Sequence, residues 1–173
     1  MKCYQTIVLA ILAAAVFIVT GCRQPGVEFW EEYNDVFDAN GRVENYTINK
    51  GKPFVINSFR YDAFRYVLFH TPEGKIDRII EENPDWEFVF YCQMAPEDSM
   101  RLIKLLSRYH CHFPVIMDPD GVWVHEYLKG DYSAIGVICD KTGNTLGVSV
   151  IGTSQSSFDS EFASAKRALS KTK

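Results

Sequence analysis
The hydrophobic pattern of this chain changes period several times, and each change predicts an element. Val27 to Phe37 carries Phe29, Trp30, Tyr33, Val36 and Phe37 in a mixed spacing that suits a short helix. Val43 to Ile48 and Pro53 to Phe59 are β-prone runs around Asn49-Lys50-Gly51-Lys52, the pattern of a hairpin. Tyr66-Val67-Leu68-Phe69-His70 reads as a continuous apolar strand for a sheet covered on both faces. After the break at Thr71-Pro72-Glu73-Gly74, Ile76, Ile79 and Ile80 recur at helical spacing until Asn83-Pro84.

Trp86 to Cys92 is a second buried strand. Pro96 opens a helix whose inner face is expected to carry Met100, Ile103 and Leu106, with Tyr109 or His110 at its end. Phe113 to Met117 predicts a short strand. Ile135 to Cys139 and Leu146 to Ile151 predict a hairpin around Asp140-Lys141-Thr142-Gly143-Asn144. Ser156 to Lys171 is an amphipathic helix with Phe158, Phe162, Ala165 and Leu169 inward. A βαβ unit followed by ββα on one mixed sheet is the thioredoxin arrangement, because parallel strands need crossovers and antiparallel ones can use a hairpin.

The beginning of the chain follows another logic. Lys2 precedes an unbroken apolar run from Ile7 to Val19. A membrane span needs about 20 apolar residues, so this run suits the core of an export signal. Val19-Thr20-Gly21-Cys22 resembles the bacterial lipobox. The resemblance implies cleavage after Gly21 and a diacylglyceryl group on Cys22. An ordinary leader with a cysteine at its boundary is the alternative. Residues 1–21 are thus expected to be a signal peptide and 22–26 a lipidated tether. Residues 27–173 would form one domain with its core from about 59 to 173. Two or three acyl chains together anchor a protein stably. Arg23 and Gln24 follow the cysteine, and by the enteric sorting rule the lack of Asp there favours the outer membrane.

Without Lys2, 17 basic and 22 acidic residues remain, a formal charge of −5. That balance argues against nucleic acid and against a polybasic lipid patch. With aromatics at 14 % of the chain, a packed globular domain is expected rather than disorder. Cys3 leaves with the signal and Cys22 is consumed by lipid. Cys92, Cys111 and Cys139 remain, an odd number in an oxidising compartment. Each adjoins an apolar strand, where a thiol commonly serves as a small buried hydrophobe.

Three stretches carry a family likeness. They are Tyr66 to His70 with the helix after it, Phe113-Pro114-Val115-Ile116-Met117-Asp118-Pro119-Asp120-Gly121, and Gly136 to Asn144 with its Asp-Lys-Thr-Gly turn. Together they resemble thioredoxin-like lipoproteins of Bacteroides-type bacteria, related to the TlpA/ResA group. The resemblance implies an α/β fold: a thioredoxin-like mixed sheet flanked by helices, here with an N-terminal β-hairpin extension. Oxidoreductases of that group carry CxxC where the first strand meets its helix, and the helix N-terminus lowers the attacking thiol's pKa. The junction expected here, His70 to Lys75, has no cysteine. The group also places a cis-proline before the hairpin's first strand, whereas Tyr132-Ser133-Ala134-Ile135 has none. Dithiol exchange needs two adjacent sulfurs.

The expected function is therefore a non-catalytic binding or accessory role in the cell envelope, with no cofactor and with an envelope protein or peptide as partner. His70, Glu73, Gln93 and Tyr132 are the candidate binding edge. The competing reading is a thiol-dependent oxidoreductase or peroxidase using Cys92, which closes a strand at the end where ligands gather in open α/β sheets. Cys92 and Cys111 are expected too far apart for a disulfide, since the intervening helix carries the chain back about 20 Å. His110-Cys111-His112 invites a metal reading, but alternating side chains in an extended segment point to opposite faces, so no metal site is expected. Asp118-Pro119-Asp120-Gly121 reads as a tight turn rather than a calcium loop. Replacing Cys22→Ala should move the protein from membranes to the soluble periplasmic fraction and remove the acylated N-terminal peptide from the mass spectrum.

Overall fold
A computed structural model describes residues 33, 35–121, 134–152 and 155–171. The organising strand is β3 (Phe54–Arg60), buried from Phe54 to Phe59. It runs parallel to β4 (Glu87–Gln93) and antiparallel to β6 (Ala134–Cys139). β5 (Val115–Met117) continues the parallel side. β1 (Val36–Asp38) pairs antiparallel with β5 and with β2 (Gly41–Arg42). β7 (Thr145–Val148) pairs antiparallel with β6. The sheet order is β2-β1-β5-β4-β3-β6-β7.

The helices are α1 (Tyr61–His70), α2 (Lys75–Glu81), α3 (Ser99–Arg108, after a 3-10 turn at Pro96–Asp98) and α4 (Gln155–Ser170). All four contribute to one apolar cluster with the odd-numbered β3 side chains Val55 and Phe59. The opposite face, with Val36, Phe54, Ile56, Val89 and Tyr91, packs with Tyr33, Tyr46 and Ile48. Among the described residues no helix is long and apolar enough to cross a membrane.

The strand expected at Tyr66–His70 is instead the second half of α1. Phe64, Val67 and Leu68 are buried, while Tyr66 and Phe69 are 62 % and 67 % exposed. That i, i+3, i+4 burial is helical. A strand buried on both faces would hide all five side chains. The place expected for that strand belongs to β3, whose interior includes Asn57 and Ser58.

The expected hairpin between Val43–Ile48 and Pro53–Phe59 is absent, because β3 is flanked by β4 and β6. The turn at Asn49 forms, with Lys52 N–H donating to the Asn49 carbonyl at 3.2 Å. The N-terminal hairpin lies earlier, at β1–β2. There Asp38 Oδ1 accepts N–H groups of Asn40 (2.7 Å) and Gly41 (3.1 Å). Val36 and Phe37, expected in a helix, are therefore strand residues. Residues 27–32 lie outside the described residues.

The inner face of α3 also differs. Leu102, Leu105 and Leu106 are buried with Tyr109 packed beside them, and Met100 is 60 % exposed. Residues 102, 105, 106 and 109 form a fuller apolar stripe than one through Met100 and Ile103, and the wider stripe faces the core.

The remaining elements follow their local signals. Just past α2, Asn83 closes the helix end, its Nδ2 donating to the Ile79 carbonyl at 2.6 Å. Asp140 Oδ1 accepts N–H groups of Thr142 (2.8 Å) and Asn144 (2.9 Å), which closes the β6–β7 turn. β7 stops at Val148, before the expected Ile151. Beyond it the Ser149 carbonyl oxygen would lie 2.1 Å from a Cβ at residue 136, so only Gly136 permits this crossing. α4 buries Phe158, Phe162 and Ala165 as expected, with Leu169 partly buried.

The helical state of residues 61–70 has a direct mutational signature. Phe64→Ala should cost about 3–5 kcal/mol in urea unfolding, the loss of a fully buried ring. Phe69→Lys should change stability by no more than about 0.5 kcal/mol, whereas in a central strand it would unfold the protein.

Candidate functional site
The parallel strands give the sheet two chemically different ends. Their C-terminal end is where open α/β sheets usually place ligands. Arg60 and Gln93 are register partners there. Tyr61 opens α1, and the Arg101 guanidinium stacks 4.1 Å from its ring centre. Asp118 is buried and donates its N–H to the Cys92 carbonyl at 3.0 Å. The strand–helix junction is thus Phe59-Arg60-Tyr61-Asp62, one element earlier than His70–Lys75, and it too contains no cysteine.

The thiols of this domain are shielded. Cys92, Cys111 and Cys139 are all free and buried. Cys92 Sγ contacts Met94 Sδ at 3.8 Å, and burial pushes its pKa up to about 12. Burial, with the charge of Asp77 adding to it, pushes Cys111 up to about 12. Burial pushes Cys139 up to about 11, against an opposing hydrogen bond from Thr145. A thiol held protonated is a poor nucleophile.

The opposite end carries a cleft of about 230 Å³. Its apolar walls include Leu68, Phe69, Ile76, Tyr109, Cys111 and Phe113, and its rim carries Glu73, Lys75 and Asp77. Pro72 and a left-handed Gly74 (φ 66°) end one helix and start the next, which opens the gap. Two links tie this turn to the chain leaving α3. Glu73 Oε1 lies 3.7 Å from His110 Nε2, and Asp77 Oδ1 accepts the His112 N–H at 3.0 Å. A third tie runs from Thr71 Oγ1 to the Gly152 carbonyl at 3.4 Å. Outside the cleft, His70 packs against Tyr66 (4.2 Å between centroids) and Phe69 (5.0 Å).

The expected edge of His70, Glu73, Gln93 and Tyr132 is therefore divided. Glu73 reaches His110 just before β5, and His70 ends α1 beside it. Gln93 lies at the far end of β4. The β4–β5 register sets His112 near the level of Glu87, and six strand residues separate that level from Gln93, about 20 Å. Tyr132 lies outside the described residues. Among the described residues no three His, Cys, Asp or Glu side chains gather as metal ligands. His110 points its Nε2 at Glu73, whereas His112 meets Asp77 through its backbone N–H. The sequence pattern does not predict the cleft, whose lining includes Phe69, one of two exposed aromatics of α1. Read as helix, residues 61–70 leave two large aromatics on the solvent side.

No known protein family and no curated protein sequence matches the chain. Solved structures do. A thioredoxin-like protein studied in its oxidised form aligns with a TM-score of 0.56 at 18 % identity, covering 87 % of this chain and 98 % of that one. The fold is thioredoxin-like. A DsbE-type thiol:disulfide interchange protein of Chlorobium tepidum gives 0.53 at 15 %, covering 67 % and 81 %. The exposed lipoprotein thioredoxin of Streptococcus pneumoniae gives 0.52 at 18 %, covering 79 % and 99 %. At such identities the shared property is the fold. In this thioredoxin-like sheet the N-terminal hairpin extends the β5 side, and the cleft lies away from the strand–helix junction.

The buried thiols predict both reactivity and pH dependence. Cys92, Cys111 and Cys139 should label slowly with a maleimide until denaturant is added. Each thiol's pKa is raised in the folded state from an ordinary value near 9. Unfolding therefore releases protons above that value, and stability present below pH 9 is lost as pH rises towards 11–12. The urea midpoint should fall across this range, and by less in Cys92→Ala.

Proposed function
We propose that this protein is a membrane-anchored, thioredoxin-like binding or accessory protein of the bacterial cell envelope that performs no dithiol exchange. The observation that carries the reading is the cysteine-free junction Phe59-Arg60-Tyr61-Asp62 on a thioredoxin-like sheet. Exchange requires a thiolate and a second sulfur in reach, and the junction supplies neither. Burial of Cys92 weighs against the lone-thiol enzyme reading as well, since it raises the thiol's pKa and disfavours the thiolate.

Anchoring rests on Lys2, the Ile7–Val19 run and Val19-Thr20-Gly21-Cys22. The pneumococcal structural neighbour, described as an exposed lipoprotein thioredoxin, is consistent with an envelope location. Lipid on Cys22, with Arg23 and Gln24 after it, would hold the domain at the periplasmic face of the outer membrane. The binding surface in this reading is the cleft between Phe69, Asp77 and Phe113, with His70 and Glu73 beside it.

The test is insulin reduction by dithiothreitol. The protein should not accelerate it, and Cys92→Ser should behave like the parent. Reductase activity that disappears in Cys92→Ser would overturn the reading.

A further inference from the structure
Resting on that binding reading, we infer that the cleft receives a cationic side chain, an ammonium or guanidinium on an apolar stem, from an extended peptide segment of a partner. Its size comes first. At about 230 Å³ it falls below the roughly 300–1,000 Å³ of small-molecule and cofactor sites. One long side chain fits that space. Its lining is about equally polar and apolar: Leu68 and Ile76 suit a methylene stem, and the rings of Phe69, Tyr109 and Phe113 suit a cation.

Its charge is the second argument. Among the described residues that line the cleft, Glu73 and Asp77 are acidic and Lys75 is basic, and the Arg108 guanidinium lies 5.8 Å from the Tyr109 ring centre. Among the described residues no ion pair joins Lys75 to either carboxylate. Glu73 lies 3.7 Å from His110, with both side chains mostly exposed, a weak and replaceable contact. Asp77 spends one oxygen on the His112 N–H. Its charge contributes, after burial, to the raised pKa of the Cys111 thiol, so its field reaches the cleft wall. Tyr61 shows the same pairing elsewhere in the chain, with Arg101 over its ring at 4.1 Å. An acidic side chain would meet Lys75 but also two carboxylates, and a neutral one would gain nothing from their charge.

The experiment titrates the full chain in detergent with three blocked tripeptides, acetyl-Gly-Xaa-Gly-amide, where Xaa is lysine, norleucine or glutamate. Amide NMR shifts and calorimetry are the readouts. The lysine peptide should shift residues 68–77 and 109–113 saturably and bind about tenfold tighter than the norleucine peptide, with the glutamate peptide weakest. Glu73→Gln, at an exposed position that leaves folding intact, should weaken the lysine peptide about threefold, and Asp77→Asn should weaken it more. Glu97→Gln, at the other end of the sheet, should change nothing. Equal binding of the lysine and norleucine peptides would overturn the cation inference and leave the binding reading standing. Absence of any saturable shift in residues 68–77 would overturn both.

Discussion
Six consecutive side chains, Phe54 to Phe59, are removed from water on both faces of the sheet, and the other elements are placed by that burial. Val55 and Phe59 require the cover of the helices. Phe54 and Ile56 require the cover of Tyr33, Tyr46 and Ile48. The strand also buries Asn57 and Ser58. Asn57 Oδ1 accepts the Ile151 N–H at 3.1 Å and so fixes the chain beyond β7. Asn57 Nδ2 and Ser58 Oγ have no partner among the described residues. Each such group costs about 1–3 kcal/mol, against about 1.5–3 kcal/mol gained for every fully buried large apolar side chain. Four apolar side chains against two orphaned atoms leave the strand inside.

That placement puts the buried Cys92 thiol and the cleft at opposite ends of the sheet. β3 and β4 bring Phe59 and Cys92 side by side in a dry interior, where the thiol is held protonated. α1 then carries the chain about 15 Å along the sheet, to the turn where Glu73 meets His110 and Asp77 meets His112. The opening, the acids and the exposed aromatics lie there. The junction at Arg60 and Tyr61 contains no cysteine. Its arginine–tyrosine stack and buried Asp118 belong to the packing of α3 and β5 against it.

Legibility followed the range of the determining interactions. β4, β6, α2, α4 and the Asp140–Asn144 turn are specified locally, by apolar periods and turn chemistry within ten or so residues, and they stand where the pattern puts them. β3 was hidden by Asn57 and Ser58, whose polarity makes a fully buried strand read as half of an exposed hairpin. α1 was hidden because Tyr66 and Phe69 leave their side chains in solvent, which made five apolar residues look like a strand. The fold survived both errors because β3 supplies the missing central strand a few residues earlier. The cleft could not be read at all: its walls come from residues 68–77 and 109–113, brought together only by α3 packing back along the sheet. Glu73 and His70 were singled out for the right end of a helix and the wrong end of the sheet.

The account depends most on the protonation of Cys92 beside the central strand. Its 13Cβ chemical shift, followed with pH in the folded protein, reports thiol and thiolate separately. The shift should stay at its thiol value past about pH 10, well above the ordinary thiol range near 8.5. A titration midpoint below about pH 8 would show a stabilised thiolate at that edge and contradict the separation of fold from redox chemistry described above.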